Sequence, residues 1–256
     1  MLAEPADIGG MSAGGPSLSF ASVSMVFPDG TEAVQDVSLE LAEHEFVTIV
    51  GPSGCGKSTL LRIAAGLLLP TTGEVSVADD NIGCVFQDST LMPWRTVESN
   101  VGLLNELEHL PTVERRRRIE EAISLVNLKG FENHLPRQLS GGMRMRVSLA
   151  RALTTYPSLF LFDEPFGALD EISRNRLNDE LLRLFRETRF SALFITHSVT
   201  EAVYLSDRVV VMGVRPGRIV GEVNIPFDYP RSAGLRFSPE FGQLSAEVAG
   251  LLSDET

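Results

Sequence analysis

Short, unbroken apolar runs punctuate the chain: Phe46–Val50, Ser158–Phe162, Phe190–Ile195 and Arg208–Met212. None alternates with polar residues, which is the pattern of strands covered on both faces. Between them lie stretches with helical spacing. Lys57–Leu68 is one, and Ile172–Glu187 is another, with Leu177, Leu181, Leu184 and Phe185 on one side. Strands alternating with helices predict an α/β fold with a mainly parallel sheet. Nearer the N-terminus, Ser19–Phe27 and Val37–Leu41 read as further strands separated by the turn signal Pro28-Asp-Gly30. A second turn at Pro70–Gly73 precedes a strand over Glu74–Val77.

From about Gln87 to Leu139 the pattern becomes charged and amphipathic. Thr96 or Ser99 is placed to cap a helix ending near His109, and Thr112 to cap one running to Leu128. The basic run Arg115–Arg118 sits among Glu114, Glu120 and Glu121 and reads as a solvated helix face. This region predicts a helical insertion, 88–139, between core segments 18–87 and 140–230. Residues 1–17, rich in small residues, predict a disordered leader. The tail, 231–256, has apolar residues at 241, 244, 248, 251 and 252, a helical stripe.

Composition narrows the choices. A chain of 256 residues, 43% hydrophobic, buries one sizeable core. Its net charge of −12 argues against a nucleic-acid partner. Two cysteines make no disulfide framework, which suits a reducing compartment. No apolar run approaches the roughly 18–20 residues that span a bilayer. The N-terminus lacks the basic and apolar segments of a secretion signal. A membrane role therefore requires a partner.

Candidate chemistry begins directly after the first buried strand. Gly51, Pro52, Ser53, Gly54, Cys55, Gly56, Lys57, Ser58 and Thr59 spell G-x-x-x-x-G-K-S and then Thr. The glycines let successive backbone N–H groups turn toward an anion. Lys57 reaches the β- and γ-phosphates of a nucleotide, and Ser58 offers a hydroxyl to Mg²⁺. The helix that follows adds the positive end of its dipole. Chance produces the pattern in on the order of 1% of chains this long. Basic usage sharpens the assignment. Of 22 basic residues only Lys57 and Lys129 are lysines, and Lys57 is the first basic residue in the chain. A compact, flexible charge stands where phosphate chemistry wants one. Cys55 occupies a variable place in the loop and reads as a small tolerated side chain.

A second element is Leu159-Phe-Leu-Phe-Asp163-Glu164, an apolar strand delivering two adjacent carboxylates to its C-terminal end. Asp163 is placed to hold Mg²⁺ and Glu164 to act as general base on a water. The third is Ser140-Gly141-Gly142 opening a helix, a second anion-binding device in one chain. With this signature the sequence resembles the ATPase subunits of ABC transporters, from about Leu18 to the C-terminal region. The resemblance implies a P-loop NTPase with a RecA-like core, an antiparallel β region and an inserted helical subdomain. It implies ATP and Mg²⁺ as cofactors. It also implies a head-to-tail homodimer in which Ser140, Gly141 and Gly142 of one subunit close on ATP held by the other.

Further positions follow from the same resemblance. Gln87 matches the glutamine that touches Mg²⁺ and the lytic water. His197 matches the switch histidine at the γ-phosphate, Asp170 the loop coupling the two sites, and Phe27 the ring stacked on adenine. Met143 and Met145 stand where related importers carry glutamines, Phe27 replaces the commoner Tyr, and the segment Pro70–Gln87 is short enough to trim an expected antiparallel hairpin. Met92–Val97, Phe166–Ser173, Glu201–Met212 and Arg215–Ile219 are similar to the nitrate, sulfonate and taurine importer group, which includes importers of pyrimidine precursors. The implied setting is the cytoplasmic face of the inner membrane, on a permease served by a solute-binding protein. The alternatives are a soluble ABC ATPase without a transport role, a nucleotide switch that does not hydrolyse, and an exporter subunit.

Overall fold

The computed structural model describes residues 15–214 and 216–253. Strands β1 (Leu18–Val26), β2 (Glu32–Leu41) and β4 (Thr72–Val77) form an antiparallel sheet in the order β2-β1-β4. The turn between β1 and β2 is the one the sequence signals, with Gly30 at φ 84 and Phe27 N donating to Thr31 O at 2.9 Å. The larger sheet contains β3 (Phe46–Val50), β5 (Ile82–Phe86), β6 (Leu159–Asp163), β7 (Ser191–Thr196), β8 (Arg208–Gly213) and β9 (Arg218–Asn224). Its order is β5-β6-β7-β3-β8-β9, parallel except for the antiparallel edge strand β9.

Alternate residues of the unbroken runs feed two cores. Phe46, Phe160, Phe162 and Phe194 pack on one face, while Val47, Ile49, Leu161 and Leu193 join the antiparallel sheet on the other. That second core also takes α1 (Lys57–Ala64). Both faces are dry, which is why these strands need no polar alternation. Cys55 is 1% exposed and packs in the second core, so its thiol fills space.

Several boundaries move. Helix α1 stops at Ala64 rather than Leu68, because Gly66 turns left-handed at φ 68 and Leu67 N reaches back to Arg62 O. Thr96 does cap a helix, accepting from Ser99 N at 3.3 Å, but the run to His109 is broken into α2 (Val97–Val101) and α3 (Leu103–Leu107). At the break a Cβ on Gly102 would sit 2.5 Å from Ile119 Cδ1, so the glycine lets the next helix, which carries Ile119, approach. Helix α4 (Thr112–Leu125) starts after Pro111 and has no side-chain cap, so Thr112 is its first residue rather than its cap. Over the short segment Pro70–Gln87, where the antiparallel hairpin is expected to be trimmed, β4 and β5 do not pair with each other: β4 pairs with β1, and β5 lies in the other sheet. Strands β5 and β9 and helix α7 (Val199–Leu205) carry no strong pattern in the sequence.

The basic run behaves as expected. Arg116 pairs with Glu120, Arg117 with Glu114 and Glu121, and Arg118 with Glu114. Hydrogen bonds from Arg117 and Arg118 pull the Glu114 pKa down to about 2. Helix α5 (Gly141–Leu153) packs on α2 and α4 as well as on α6 (Glu171–Thr188). It therefore ties the insertion to the core across the expected boundary at residue 140. Of the expected leader, residues 1–14 lie outside the described residues, as does Arg215 of the motif Arg215–Ile219. Ser17 is buried, its hydroxyl 2.8 Å from that of Ser191.

The tail is strapped to the core before it ends in α8 (Pro239–Ser253). The Arg231 side chain is fully buried and donates to the carbonyls of Phe227 and Tyr204, the shortest bonds being 2.8 Å. Its guanidinium also lies 4.3 Å from the Tyr229 ring centre. Arg231→Ala strands those carbonyls and opens a cavity, so we expect a loss of about 3 kcal/mol, read by urea denaturation.

Candidate active site

Parallel registration sets the site. Phe86 is level with Asp163, Asp163 with Ile195, and Val50 with Thr196. The residues that follow these strand ends, Gln87, Glu164, His197 and Gly51, therefore stand in a row along one edge of the sheet. Ligands collect at this edge because strand ends and helix starts leave backbone groups free to bind them.

The loop after β3 is a cradle. Gly54 and Gly56 adopt φ 81 and φ 94, which a side chain would strain. A Cβ on Gly56 would also lie 2.4 Å from Ala33 O. Gly217, in the β8–β9 turn, presses from outside; a Cβ there would lie 1.9 Å from Cys55 O. Lys57 is 5% exposed, and its ammonium donates to the carbonyls of Gly51 and Pro52 at 2.8 and 2.9 Å.

Beside the loop opens a cleft of about 640 Å³. Ser53, Gly54, Gly56, Lys57, Ser58 and Thr59 line it together with Phe27, Gln87, Asp163 and Glu164. Phe27 lies just past the end of β1, half-buried: it packs against the second core and also lines the cleft. Sequence reasoning missed Thr31, Glu32, Ala33 and Gly217, which also line the cleft. No local motif marks them; the bridge between Val34 and Gly217 brings them in.

The paired carboxylates diverge. Asp163 Oδ1 accepts from Ser58 Oγ at 2.8 Å. Glu164 takes the left-handed conformation, φ 45, rare for a residue with a side chain, and its Oε2 lies 2.9 Å from His197 Nδ1. One carboxylate is thus committed to the phosphate loop and the other to the β7–α7 turn. Gln87 stands nearby: a Cβ on Gly167 would lie 3.5 Å from Gln87 Nε2 and 3.6 Å from Glu164 Oε2.

Burial, the largest influence, holds the Asp163 carboxyl above the usual range; the Ser58 hydrogen bond opposes this, and the Glu164 charge adds to it. A raised carboxylate pKa means the folded chain binds the proton more tightly than the unfolded one. Asp163 therefore opposes folding increasingly as pH rises from its unfolded toward its folded pKa. We expect Asp163→Asn to raise the thermal midpoint at pH 7 while removing most ATP turnover. Calorimetry should show that gain shrinking as pH falls toward the unfolded value.

The remaining sequence-predicted residues lie outside this cleft. Ser140 caps α5, accepting from Met143 N at 3.3 Å, and Gly141 and Gly142 begin that helix. None of the three lines the cleft. Met145 is buried, and Met143 packs partly on the core. Asp170 caps α6: its Oδ1 accepts from Ser173 N at 2.9 Å, and its Oδ2 accepts from Ser173 Oγ at 2.7 Å. Those bonds hold its carboxyl below the usual range.

Known proteins share this arrangement. The ABC transporter family model matches residues 34–167. The aliphatic sulfonates import ATP-binding protein SsuB of Bacillus licheniformis is 43% identical over 85% of this chain and 86% of that protein. The taurine import ATP-binding protein TauB of Roseobacter denitrificans is 40% identical over 93% of this chain and 94% of that protein. A dimeric, post-hydrolysis ATP-binding cassette bound to ADP and Pi superposes with a TM-score of 0.72 at 32% identity, covering 82% of this chain and all (100%) of that one. A nucleotide cradle after β3, a carboxylate pair at the end of β6 on the same edge of the sheet and these relatives agree: the chain belongs to the ABC transporter family and is one of its ATPases.

Proposed function

We propose that this chain powers an importer of small organic sulfonates or chemically similar solutes, as a homodimer on the cytoplasmic face of a permease. The observation that carries the dimer is in the signature itself. A Cβ on Gly142 would make only an ordinary 3.7 Å contact with Leu177, and one on Gly141 would press only on the end of Leu169, at 3.1 Å. Packing within the chain therefore does not demand glycine at 142. Close approach by a ligand does, and the cleft that holds the ligand belongs to a second copy. Dimeric solved relatives support the same assembly. The solute class rests on the relatives named for sulfonate and taurine import. Among the described residues no helix is long and apolar enough to cross a membrane. In this reading the permease and a solute-binding protein are separate partners.

In this reading ATP stacks on Phe27 and lays its phosphates along Gly51–Thr59. Lys57 exchanges the Gly51 and Pro52 carbonyls for the β- and γ-phosphates. The donor set fits Mg²⁺: Ser58 Oγ and Asp163 Oδ1, oxygens 2.8 Å apart, would hold it, with Gln87 on the same cleft. When bound, Mg²⁺ would neutralise charge on the phosphates. Glu164 takes a proton from the attacking water as the water oxygen bonds the γ-phosphorus and the bond to the β-phosphate oxygen breaks. His197 orients Glu164 and meets the γ-phosphate. Ser140, Gly141 and Gly142 of the second copy donate to the γ-phosphate from the opposite side, and Asp170 links the two sites. Closure on ATP and reopening after hydrolysis would then drive the permease.

Two measurements test this. ATPase rate should rise more than linearly with protein concentration at low concentration; strict proportionality down to a demonstrated monomer rejects the dimer. Proteins co-purifying with the tagged chain from its native membrane should include a permease, and vesicles holding that complex should accumulate a sulfonate only with ATP. Uptake of an unrelated solute class in its place rejects the solute assignment.

A further inference from the structure

Glu180 takes no part in the chemistry above, yet this charged residue in the middle of α6 is buried, 8% exposed, where three segments meet. Its Oε1 accepts from Asn127 Nδ2 at 2.7 Å, and its Oε2 lies 2.9 Å from Arg146 Nε. Asn127 stands just past the end of α4 in the left-handed conformation, φ 56, and Arg146 is in the second turn of α5. One turn further along α6, Arg183 donates to Leu125 O, on the last residue of α4. A guanidinium there complements the negative end of that helix dipole. Helix α6 thus grips the end of α4 with two side chains, and one of the two also holds α5.

The helices that Glu180 joins carry, at their N-termini, the groups assigned above to the contact with the second copy. Ser140 caps α5 and Asp170 caps α6. Near these starts the contact is apolar: a Cβ on Gly141 would lie 3.1 Å from Leu169 Cδ2, and one on Gly142 3.7 Å from Leu177 Cδ1. Apolar contact is not directional, so it fixes the register of two helices loosely. A buried ion pair adds little net stability, because desolvating two charges costs about what their attraction gains. It does, however, form in one register only. Glu180, Arg146 and Asn127 do not line the cleft of their own chain.

We propose that Glu180 is a positioning residue for the half-site that this chain lends to its partner. Its carboxylate sets α5 on α6 and ties both to the end of α4, so that Ser140, Gly141 and Gly142 reach the second copy at a fixed offset from Asp170. The inference rests on the composite site proposed above. Its consequence is specific: loss of Glu180 slows hydrolysis in the cleft of the other subunit and spares the cleft of its own.

The test mixes full-length chains, with thermal midpoints measured alongside. Glu180→Gln keeps the size of the side chain and an acceptor for Asn127, but removes the charge facing Arg146. Alone, it should lower kcat about tenfold with KM for ATP within about twofold, an effect in the range for cutting a coupling network. Lys57→Ala chain in excess lends its signature but has no working cradle. In that mixture the live site pairs the Glu180→Gln cradle with an unaltered signature, and turnover should match that of the parent mixed with the same excess. Placing Lys57→Ala and Glu180→Gln together on the excess chain should instead slow the parent about tenfold. A loss that stays with the cradle chain in the first mixture, no slowing in the second, or an unchanged kcat for Glu180→Gln alone would each overturn the proposal. If the parent itself does not turn over with one live cradle, the same pairings are read as ATP-dependent heterodimer affinity, with Glu164→Gln on the cradle chain. If Glu180→Gln does not fold, Arg146→Gln, the other half of the ion pair, is read by the same criteria. Ser140→Arg separates the two levels of the argument, because the Lys57→Ala excess should rescue it as well. Failure of that rescue overturns the composite site itself; rescue of Ser140→Arg without rescue of Glu180→Gln removes only Glu180.

Discussion

Glu164→Gln should bind ATP as the parent does and hydrolyse it about 10³-fold more slowly, the range expected when a positioned general base is removed. The exchange is nearly isosteric. Glu164 sits at φ 45, and Gln must adopt the same strained backbone, so neither residue relieves it. The amide can keep a hydrogen bond at the 2.9 Å separation from His197 Nδ1. What it cannot do is take a proton from water at neutral pH. The phosphate loop, Lys57 and the Ser58–Asp163 pair are untouched, so ATP affinity should stay within a few-fold of the parent in a fluorescent-analogue titration. On the proposed cycle of closure on ATP and reopening after hydrolysis, the variant should run as an ATP-dependent dimer in size exclusion. Turnover within a few-fold of the parent would falsify the general-base assignment.

Ser140→Arg should produce the converse: normal ATP binding by the separate chain, with turnover reduced about 100-fold or more. That is the size of loss seen when a preorganised donor to a transition-state oxyanion is removed. Ser140 is exposed at the start of α5, and among the described residues its side chain makes one hydrogen bond, the 3.3 Å cap to Met143 N. Losing that cap weakens one helix end without reaching the cleft, which Ser140 does not line. A long side chain there blocks the approach of another molecule. The decisive comparison places Ser140→Arg in the Glu164→Gln background. The ATP-induced dimer should vanish while ATP binding persists. An unchanged dimer would remove Ser140, Gly141 and Gly142 from the composite site and leave the cleft as a site complete in one chain.

The expected site residues differ in how they could be read from the chain. The phosphate loop is local: its glycines, Lys57 and Ser58 act within one strand–loop–helix, so spacing alone carries the geometry. Asp163 and Glu164 are likewise adjacent at a strand end. Gln87 and His197 are not readable that way. Each is an ordinary polar residue after a strand, and only resemblance to a family marks it. An aromatic in a strand is more often core, and Phe27 does pack against the second core; only the end of β1 also brings it to the cleft. Gly217 and Ala33, far apart in the chain, became part of the cleft wall only through the Val34–Gly217 bridge.

Element boundaries failed for a related reason. The spacing of Lys57–Leu68 continues past Ala64, but Gly66 ends the helix by turning left-handed. Thr112 resembles a cap, yet Pro111 occupies the cap position. Strand β5, with Gly83 and Cys84 at its centre, is weak in propensity. It is held by pairing with β6 and by the room Gly83 leaves; a Cβ there would lie 2.8 Å from the Phe160 ring.

By itself, then, the sequence determined the parts whose physics is local: the buried strands, the phosphate cradle, the acid pair, the capped start of α5 and the charged helix of the insertion. Backbone freedom at glycine, hydrophobic periodicity and neighbouring charges act over a few residues, so they are written in order along the chain. Only the tertiary structure decided what required distant segments to meet. It turned Asp163 to Ser58 and Glu164 to His197, and brought Phe27 to the cleft. Those outcomes depend on the order β5-β6-β7-β3 and on a left-handed residue at 164. Strand order is settled by which faces can be buried together, a property of the whole core that no local stretch contains.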